Sequence, residues 1–206
     1  MAPRAGFRRV GVFGGTFDPP HVGHLIVARD AAEALELDRL FLVVAARPPH
    51  KAPDAHTPPA LRLEMLAAAV EGDPVLAASD LELRRPGPSY TIDTVREVQD
   101  SHAEAELYLL IGADQWRELG GWKDPRELGR RAVLAVMARE GEDPASVDPG
   151  VGVACRPVPV TRIDLSSSQV RARIRAGRSI RYLVPDAVGA IIEREGLYRA
   201  PAVRHA

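Results

Sequence analysis

Gly14-Gly-Thr-Phe-Asp-Pro-Pro-His-Val-Gly-His24 follows directly on the apolar run Val10 to Phe13, and both fold and chemistry can be read outward from that junction. Two glycines at the C-terminal end of a buried strand allow a tight turn and let a ligand approach the main-chain N–H groups. Open α/β sheets bind ligands at that edge. The pattern predicts a helix starting near His21, whose N-terminal N–H groups and dipole face the same crevice. His21 and His24 are three apart on its first turn, which puts both imidazoles on one side, able to donate to phosphate oxygens. Zinc is the competing use of a His-x-x-His pair, but no third ligand stands at useful spacing, and the positive end of a helix disfavours a cation. The stretch is neither a Walker A loop nor Gly-x-Gly-x-x-Gly.

Three more apolar runs, Leu40 to Ala45, Leu107 to Ile111 and Val133 to Met137, are continuous rather than alternating, as in strands covered on both faces. Amphipathic stretches lie between them: Leu25, Ala28, Ala32 and Leu35 line one helical face, and Leu61, Met65, Ala68 and Ala69 another. This alternation predicts an α/β fold, a Rossmann-like doubly wound parallel sheet with right-handed crossovers. Two C-terminal helices, Ser167 to Ala176 and Pro185 to Glu195, follow it. No composition shift divides the chain, so residues 1–206 are read as a single domain with a helical part from about 163. Arg47 to Pro59, with five prolines, and Glu140 to Gly150 read as long loops.

The bulk numbers set bounds. A chain of 206 residues, 46% hydrophobic and 27% charged, buries one good core. A formal charge of −1 supplies no global basic field, so neither nucleic acid nor an anionic membrane is an expected partner. No run approaches the roughly 18 apolar residues of a membrane span, and Met1 to Val10 lacks a signal-peptide core. The single cysteine, Cys155, excludes an internal disulfide and reads as a small buried residue. The expected setting is the cytoplasm; the sequence leaves a homo-oligomer open.

A second anion-binding pattern is Leu165-Ser-Ser-Ser-Gln-Val-Arg171 at a helix start. Ser166 with Gln169 fits a capping box. Ser167 and Ser168 add hydroxyls, and Arg171, three residues past Ser168, could grip phosphate in bidentate fashion. Arg173 and Arg175 need not point the same way.

These stretches are similar to the two signatures of the nucleotidyltransferase superfamily, and Gly14 to His24 resembles the bacterial nicotinate mononucleotide adenylyltransferase family in its Thr-Phe-Asp-Pro portion as well. The second signature is usually Ile-Ser-Ser-Thr-x-x-Arg; Leu165 and Ser168 depart from it conservatively. Three further segments carry the resemblance: Pro48-Pro-His-Lys51, Pro88-Ser-Tyr-Thr91 and Ile111-Gly-Ala-Asp-Gln-Trp116 with Trp122. Val44-Ala45-Ala46 stands where the family often has a Pro-Asn-Asn-like run, and Gly196-Leu-Tyr198 resembles the family's C-terminus.

The resemblance implies transfer of AMP from ATP to nicotinate mononucleotide, with deamido-NAD and pyrophosphate as products. It implies a catalytic set of His21, His24 and Arg171, and an ATP site drawn from Gly14, Gly15, Thr16, Phe17, His21, His24, Gly112, Asp114, Ser167, Ser168 and Arg171. Lys51, the main chain at Tyr90 and Thr91, and stacking on Trp122 would receive the acceptor, while Trp116 belongs to the core or a lid. Mg2+ would be bound mainly through the ATP phosphates. Phosphopantetheine adenylyltransferase shares both phosphate signatures, but the Tyr-Thr turn, the Asp114 segment and Trp122 favour the pyridine enzyme. A class I tRNA synthetase would need a Lys-Met-Ser-Lys-Ser element and a longer chain. A nucleotide sensor without chemistry would need no arrangement for a leaving pyrophosphate.

Overall fold

The computed structural model describes residues 6–47, 57–138 and 143–200. Strand β1 (Arg9–Gly15) lies in the middle of a six-stranded parallel sheet. Its partners are β2 (Arg39–Val44), β3 (Leu76–Ser79), β4 (Glu106–Gly112), β5 (Val133–Ala138) and β6 (Arg156–Pro159), in the order β3-β2-β1-β4-β5-β6. The order reverses between β1 and β4, and such a reversal opens a crevice beyond the strands' C-terminal ends. β1 and β4 pair from Arg9↔Glu106 to Phe13↔Leu110, so Gly14–Gly15 and Ile111–Gly112 extend beyond that pairing. The doubly wound parallel sheet expected from the apolar runs is the one observed.

Continuity of those runs follows from burial on both faces. Phe13, Leu42 and Leu110 pack toward α1 (Val22–Ala34) and α2 (Pro59–Ala69), with Ala28, Ala31 and Leu66. Their chain neighbours Val12, Val43 and Leu109 face the other way, toward α4 (Thr91–Ser101) and α6 (Pro125–Arg131), with Ile92, Val95 and Leu128. The short helices α3 (Leu81–Arg84) and α5 (Ala113–Arg117) follow β3 and β4. Helices α7 (Ser167–Arg175) and α8 (Asp186–Arg194) dock on α2 through Met65, Val170, Val184, Val188, Ile191 and Ile192. Among the described residues no helix is long and apolar enough to cross a membrane.

Several readings are corrected. Strands β3 and β6 lie in stretches without a long apolar run: Leu-Ala-Ala-Ser is short, and Arg-Pro-Val-Pro carries two prolines that only an edge strand tolerates. The expected face of α2 is kept in part, since Ala68 and Ala69 pack with Met65 against the C-terminal helices, but it is not the most buried one. Met65 is fully buried, but Arg62 and Leu66 share its depth, while Leu61, Ala68 and Ala69 are half-exposed. Cys155 is only half-buried at the edge of the core rather than inside it, and partial burial pushes its thiol up.

Candidate active site

The turn after β1 is shaped by one inward aromatic ring. Phe17 takes a left-handed conformation (φ 48°) and is 2% exposed. A Cβ on Gly15 would meet the Phe17 ring at 2.8 Å, whereas around Gly14 that position is open. Gly15 therefore serves packing, and Gly14 leaves room at the crevice. Since the Phe17 side chain belongs to the core, any contact it makes to a nucleotide runs through its main chain. Its ring supports His24 edge-on, with centroids 5.1 Å apart.

Helix α1 starts at His21, the N-cap. His21 and His24 stack with ring centroids 3.7 Å apart, and the space at the glycine between them is tight. A Cβ on Gly23 would stand 3.0 Å from His21 Nδ1 and 3.1 Å from Ile163 Cγ2. The His21 main-chain N–H donates to His24 Nδ1 at 3.2 Å, which leaves the His24 proton on Nε2. Burial pushes His21 down to about 4. His24 is pushed down to about 3, by burial first and the neighbouring imidazole second. Both rings are thus neutral at pH 7, each with one N–H to donate. His21 Nδ1 is buried with no hydrogen-bond partner. The main chain of this helix end is less available than the pattern suggested: the Val22 N–H donates to Leu183 O at 3.0 Å and the His24 N–H to His21 O at 2.9 Å. The imidazoles, more than the peptide groups, are the donors here.

The second helix start arrives from about 140 residues downstream and is fastened to the first turn. Ser166 is the N-cap of α7, with its hydroxyl accepting from the Gln169 N–H at 3.2 Å and Gln169 Oε1 accepting from the Ser166 N–H at 2.7 Å. Ser167 Oγ donates to Pro19 O at 2.8 Å. Arg171 donates to Asp18 O at 2.6 Å and to Ser168 Oγ at 3.1 Å. Residues 167–171 and 18–24, far apart in sequence, therefore form one structure. Arg173 instead donates to Ser179 O at 2.9 Å, and Arg175 is exposed.

Two buried polar residues that the sequence did not flag hold this arrangement. Asp18, 2% exposed, accepts from the Tyr198 hydroxyl at 2.6 Å and from the Thr57 N–H at 3.4 Å. Burial, then the bond to Asp18, pushes the Tyr198 phenol far up, so it stays a donor. Arg62, 1% exposed, donates to the carbonyls of Thr57 (2.8 Å), Thr16 (2.8 Å) and Ala45 (2.9 Å). Hydrophobic periodicity is blind to a buried arginine; a charged residue beside Met65 and Leu66 on a helix was the available signal.

On the other side of the crevice, Tyr90 precedes α4 and no side chain caps that helix end. Ser89 ties the turn to the end of β2: its hydroxyl accepts from the Ala46 N–H (3.0 Å) and the Arg47 N–H (3.1 Å), and its own N–H donates to Arg47 O at 3.1 Å. Ala45 and Ala46 thus contribute main-chain bonds where polar side chains were in question. Trp122 is half-buried against the core face shared with Tyr90. Lys123, which sequence reasoning passed over, sets its Nζ 4.4 Å from the Tyr90 ring centroid and 3.3 Å from Asp93. Gly112 ends β4, and Asp114 stands exposed just beyond it. Trp116 is core, 2% exposed, with Nε1 donating to Pro144 O at 3.0 Å and Val147 O at 2.9 Å. Lys51 lies outside the described residues. Among the described residues, no group of three or more His, Cys, Asp or Glu could hold a metal ion.

A model of the cytidylyltransferase-like family matches residues 12–173. A Thermus thermophilus protein named "Probable nicotinate-nucleotide adenylyltransferase" is 47% identical over 196 residues, covering 93% of this chain and 100% of that one. A Thermomicrobium roseum protein of the same name is 41% identical, covering 93% and 92%. Among solved structures, Plasmodium falciparum nicotinic acid mononucleotide adenylyltransferase complexed with NaAD superposes with a TM-score of 0.74 at 16% identity, over 93% of this chain and 97% of that one. At that identity the likeness is one of fold.

Proposed function

The chain belongs to the cytidylyltransferase-like family, among the nicotinate-nucleotide adenylyltransferases, and from that premise we propose that it joins the AMP portion of ATP to nicotinate mononucleotide. The products are deamido-NAD and pyrophosphate, a step of NAD biosynthesis, and the working compartment is the cytoplasm. An oxygen of the acceptor's phosphate attacks the α-phosphorus of ATP; one P–O bond forms there, and the bond to the β-phosphate's bridging oxygen breaks. The nucleophile is already an anion, so no protein base and no covalent intermediate is needed. Catalysis is alignment of two anions and neutralisation of charge on the leaving group.

The observation that carries this reading is the joining of two helix starts through Arg171–Asp18 and Ser167–Pro19, with an uncapped helix end and a tryptophan across the crevice. His24 Nε2–H and His21 would hold α- and β-phosphate oxygens; Ser167, Ser168 and Arg171 would hold the β- and γ-phosphates that leave. A guanidinium has five N–H donors, so Arg171 keeps some for a ligand beyond those given to Asp18 and Ser168. Gly14, Gly15, Thr16 and the main chain of Phe17 would line the triphosphate, and Gly112 and Asp114 the ribose. Tyr90 and Thr91 would offer N–H groups to the pyridine carboxylate, with Trp122 against the ring and Lys51 near phosphate.

Mg2+ would be held mainly through the ATP phosphates, since such an ion needs few protein ligands. Bound there, it neutralises phosphate charge. Incubation with ATP, Mg2+ and either nicotinate mononucleotide or phosphopantetheine, with pyrophosphate release measured, tests the assignment. Release with the pyridine nucleotide alone is expected; release only with phosphopantetheine overturns it.

A further inference from the structure

Burying a guanidinium costs free energy unless every surrounding polar group is well matched, yet Arg62 sits 1% exposed among Met65 and Leu66, where an apolar residue would fill the space. Burial pushes it down, against the opposing pull of Asp18. What it does there is visible in its partners. Its three carbonyl acceptors belong to three segments: Thr16 in the turn after β1, Ala45 just past β2, and Thr57 at the approach to α2. Ala45 is the hinge between two polar links. Its carbonyl receives Arg62, and the next two N–H groups, of Ala46 and Arg47, donate to Ser89 Oγ. Ser89 immediately precedes Tyr90. A continuous polar path thus runs from Thr16, on the ATP side of the crevice, through Arg62, the end of β2 and Ser89 to the acceptor turn.

We propose that Arg62 and Ser89 form one brace that sets the separation between the phosphate-binding turn after β1 and the acceptor-binding turn before α4. The proposal rests on the adenylyl-transfer reading. Neither residue touches substrate; both are positioning residues. Their effect appears where geometry is most demanding, in the in-line approach of the acceptor's phosphate to the α-phosphorus. A misplacement of about 1 Å can cost on the order of 10² in rate there. Binding of each substrate on its own side of the crevice depends far less on that separation. A lysine at 62 keeps the charge but not the planar fork that reaches three carbonyls.

Arg62→Lys, Ser89→Ala and the double variant of the full chain are compared with wild type for thermal midpoint, kcat, and KM for ATP and for nicotinate mononucleotide. Each single variant is expected to lose about tenfold or more in kcat, with both KM values within about threefold of wild type. The double variant should be no more than about threefold below the worse single one, because residues acting through one path are not additive. Ser89 is half-buried in a turn, so Ser89→Ala keeps the proposal testable if Arg62→Lys does not fold; wild-type kcat in Ser89→Ala overturns it. Multiplicative losses in the double variant, or lowered thermal midpoints with unchanged kcat, also overturn the brace. A wild type that releases no pyrophosphate with nicotinate mononucleotide overturns the activity and the brace together, whereas additivity in an active wild type overturns the brace alone.

Discussion

The two helix starts that meet at the crevice are built by opposite means. The start of α1 is made from the core outward: Phe17 supports His24, Gly23 leaves room for the stacked rings, and burial, nearly complete for His21 and partial for His24, keeps both imidazoles neutral. The start of α7 is made from the surface inward, capped by its own Ser166–Gln169 pair and fastened to the first turn by Ser167 and Arg171. The first is a preorganised donor that needs nothing from its ligand. The second uses side chains that already hold the site together, and in the proposed reaction the same ones would meet phosphate. The difference predicts that damage at α1 appears in turnover, and damage at α7 appears in nucleotide binding as well.

The sharpest way to break that contrast is His24→Ala. The variant removes one helix-end hydrogen bond, from the His21 main-chain N–H to His24 Nδ1, a loss of about 1 kcal/mol, so it should still fold. Loss of one preorganised donor costs about 10²–10³ in rate. We expect kcat to fall by that order while KM for ATP changes little; near-native kcat would remove His24 from the mechanism. Arg171→Lys comes next. Lysine cannot bridge Asp18 O and Ser168 Oγ while presenting a fork to phosphate. A hydrogen bond to a charged group is worth about 1.5–3 kcal/mol, so kcat/KM for ATP should drop by roughly 10- to 100-fold, with KM rising. Unchanged kinetics would make Arg171 a structural tie only.

A smaller effect concerns pH. An imidazole whose value is about 6.5 in the unfolded chain and about 4 (His21) or about 3 (His24) in the fold takes up a proton more readily when unfolded. The stability contributed by keeping these two imidazoles neutral is fully present above about pH 6.5 and is lost as pH falls from there toward 4 and below. The wild-type thermal midpoint should therefore fall between pH 7 and pH 5 by more than that of His24→Ala. Parallel falls would show that burial does not hold His24 neutral.

How far the site could be read from sequence follows the same divide. The α1 start is a local object: glycines, prolines and histidines within eleven residues carry it, and the capping box of α7 is local too. What joins them is not. Arg171–Asp18 and Ser167–Pro19 span 153 and 148 residues, and Tyr198–Asp18 spans 180. No spacing rule reaches that far. The long apolar strands announced the sheet because burial on two faces leaves an unbroken hydrophobic run. The edges did not, since β3 is four residues long and β6 alternates with proline. Arg62 was missed because its guanidinium finds partners in main-chain carbonyls, which carry no side-chain signature.

Discrimination between acceptors is the direct test of adenylyl transfer to a nicotinate nucleotide. In the proposed site a pyridine carboxylate would gain charge-assisted bonds from N–H groups at the start of α4, where no side chain caps the helix. A carboxamide brings its own N–H donors and leaves donor facing donor, at about 1–3 kcal/mol. The measurement is kcat/KM for nicotinate mononucleotide and for nicotinamide mononucleotide, in wild type and in Trp122→Ala. We expect the wild type to favour the nicotinate form by roughly tenfold or more, and Trp122→Ala to weaken both acceptors while keeping most of the preference. Equal use of the two by the wild type would contradict the nicotinate assignment.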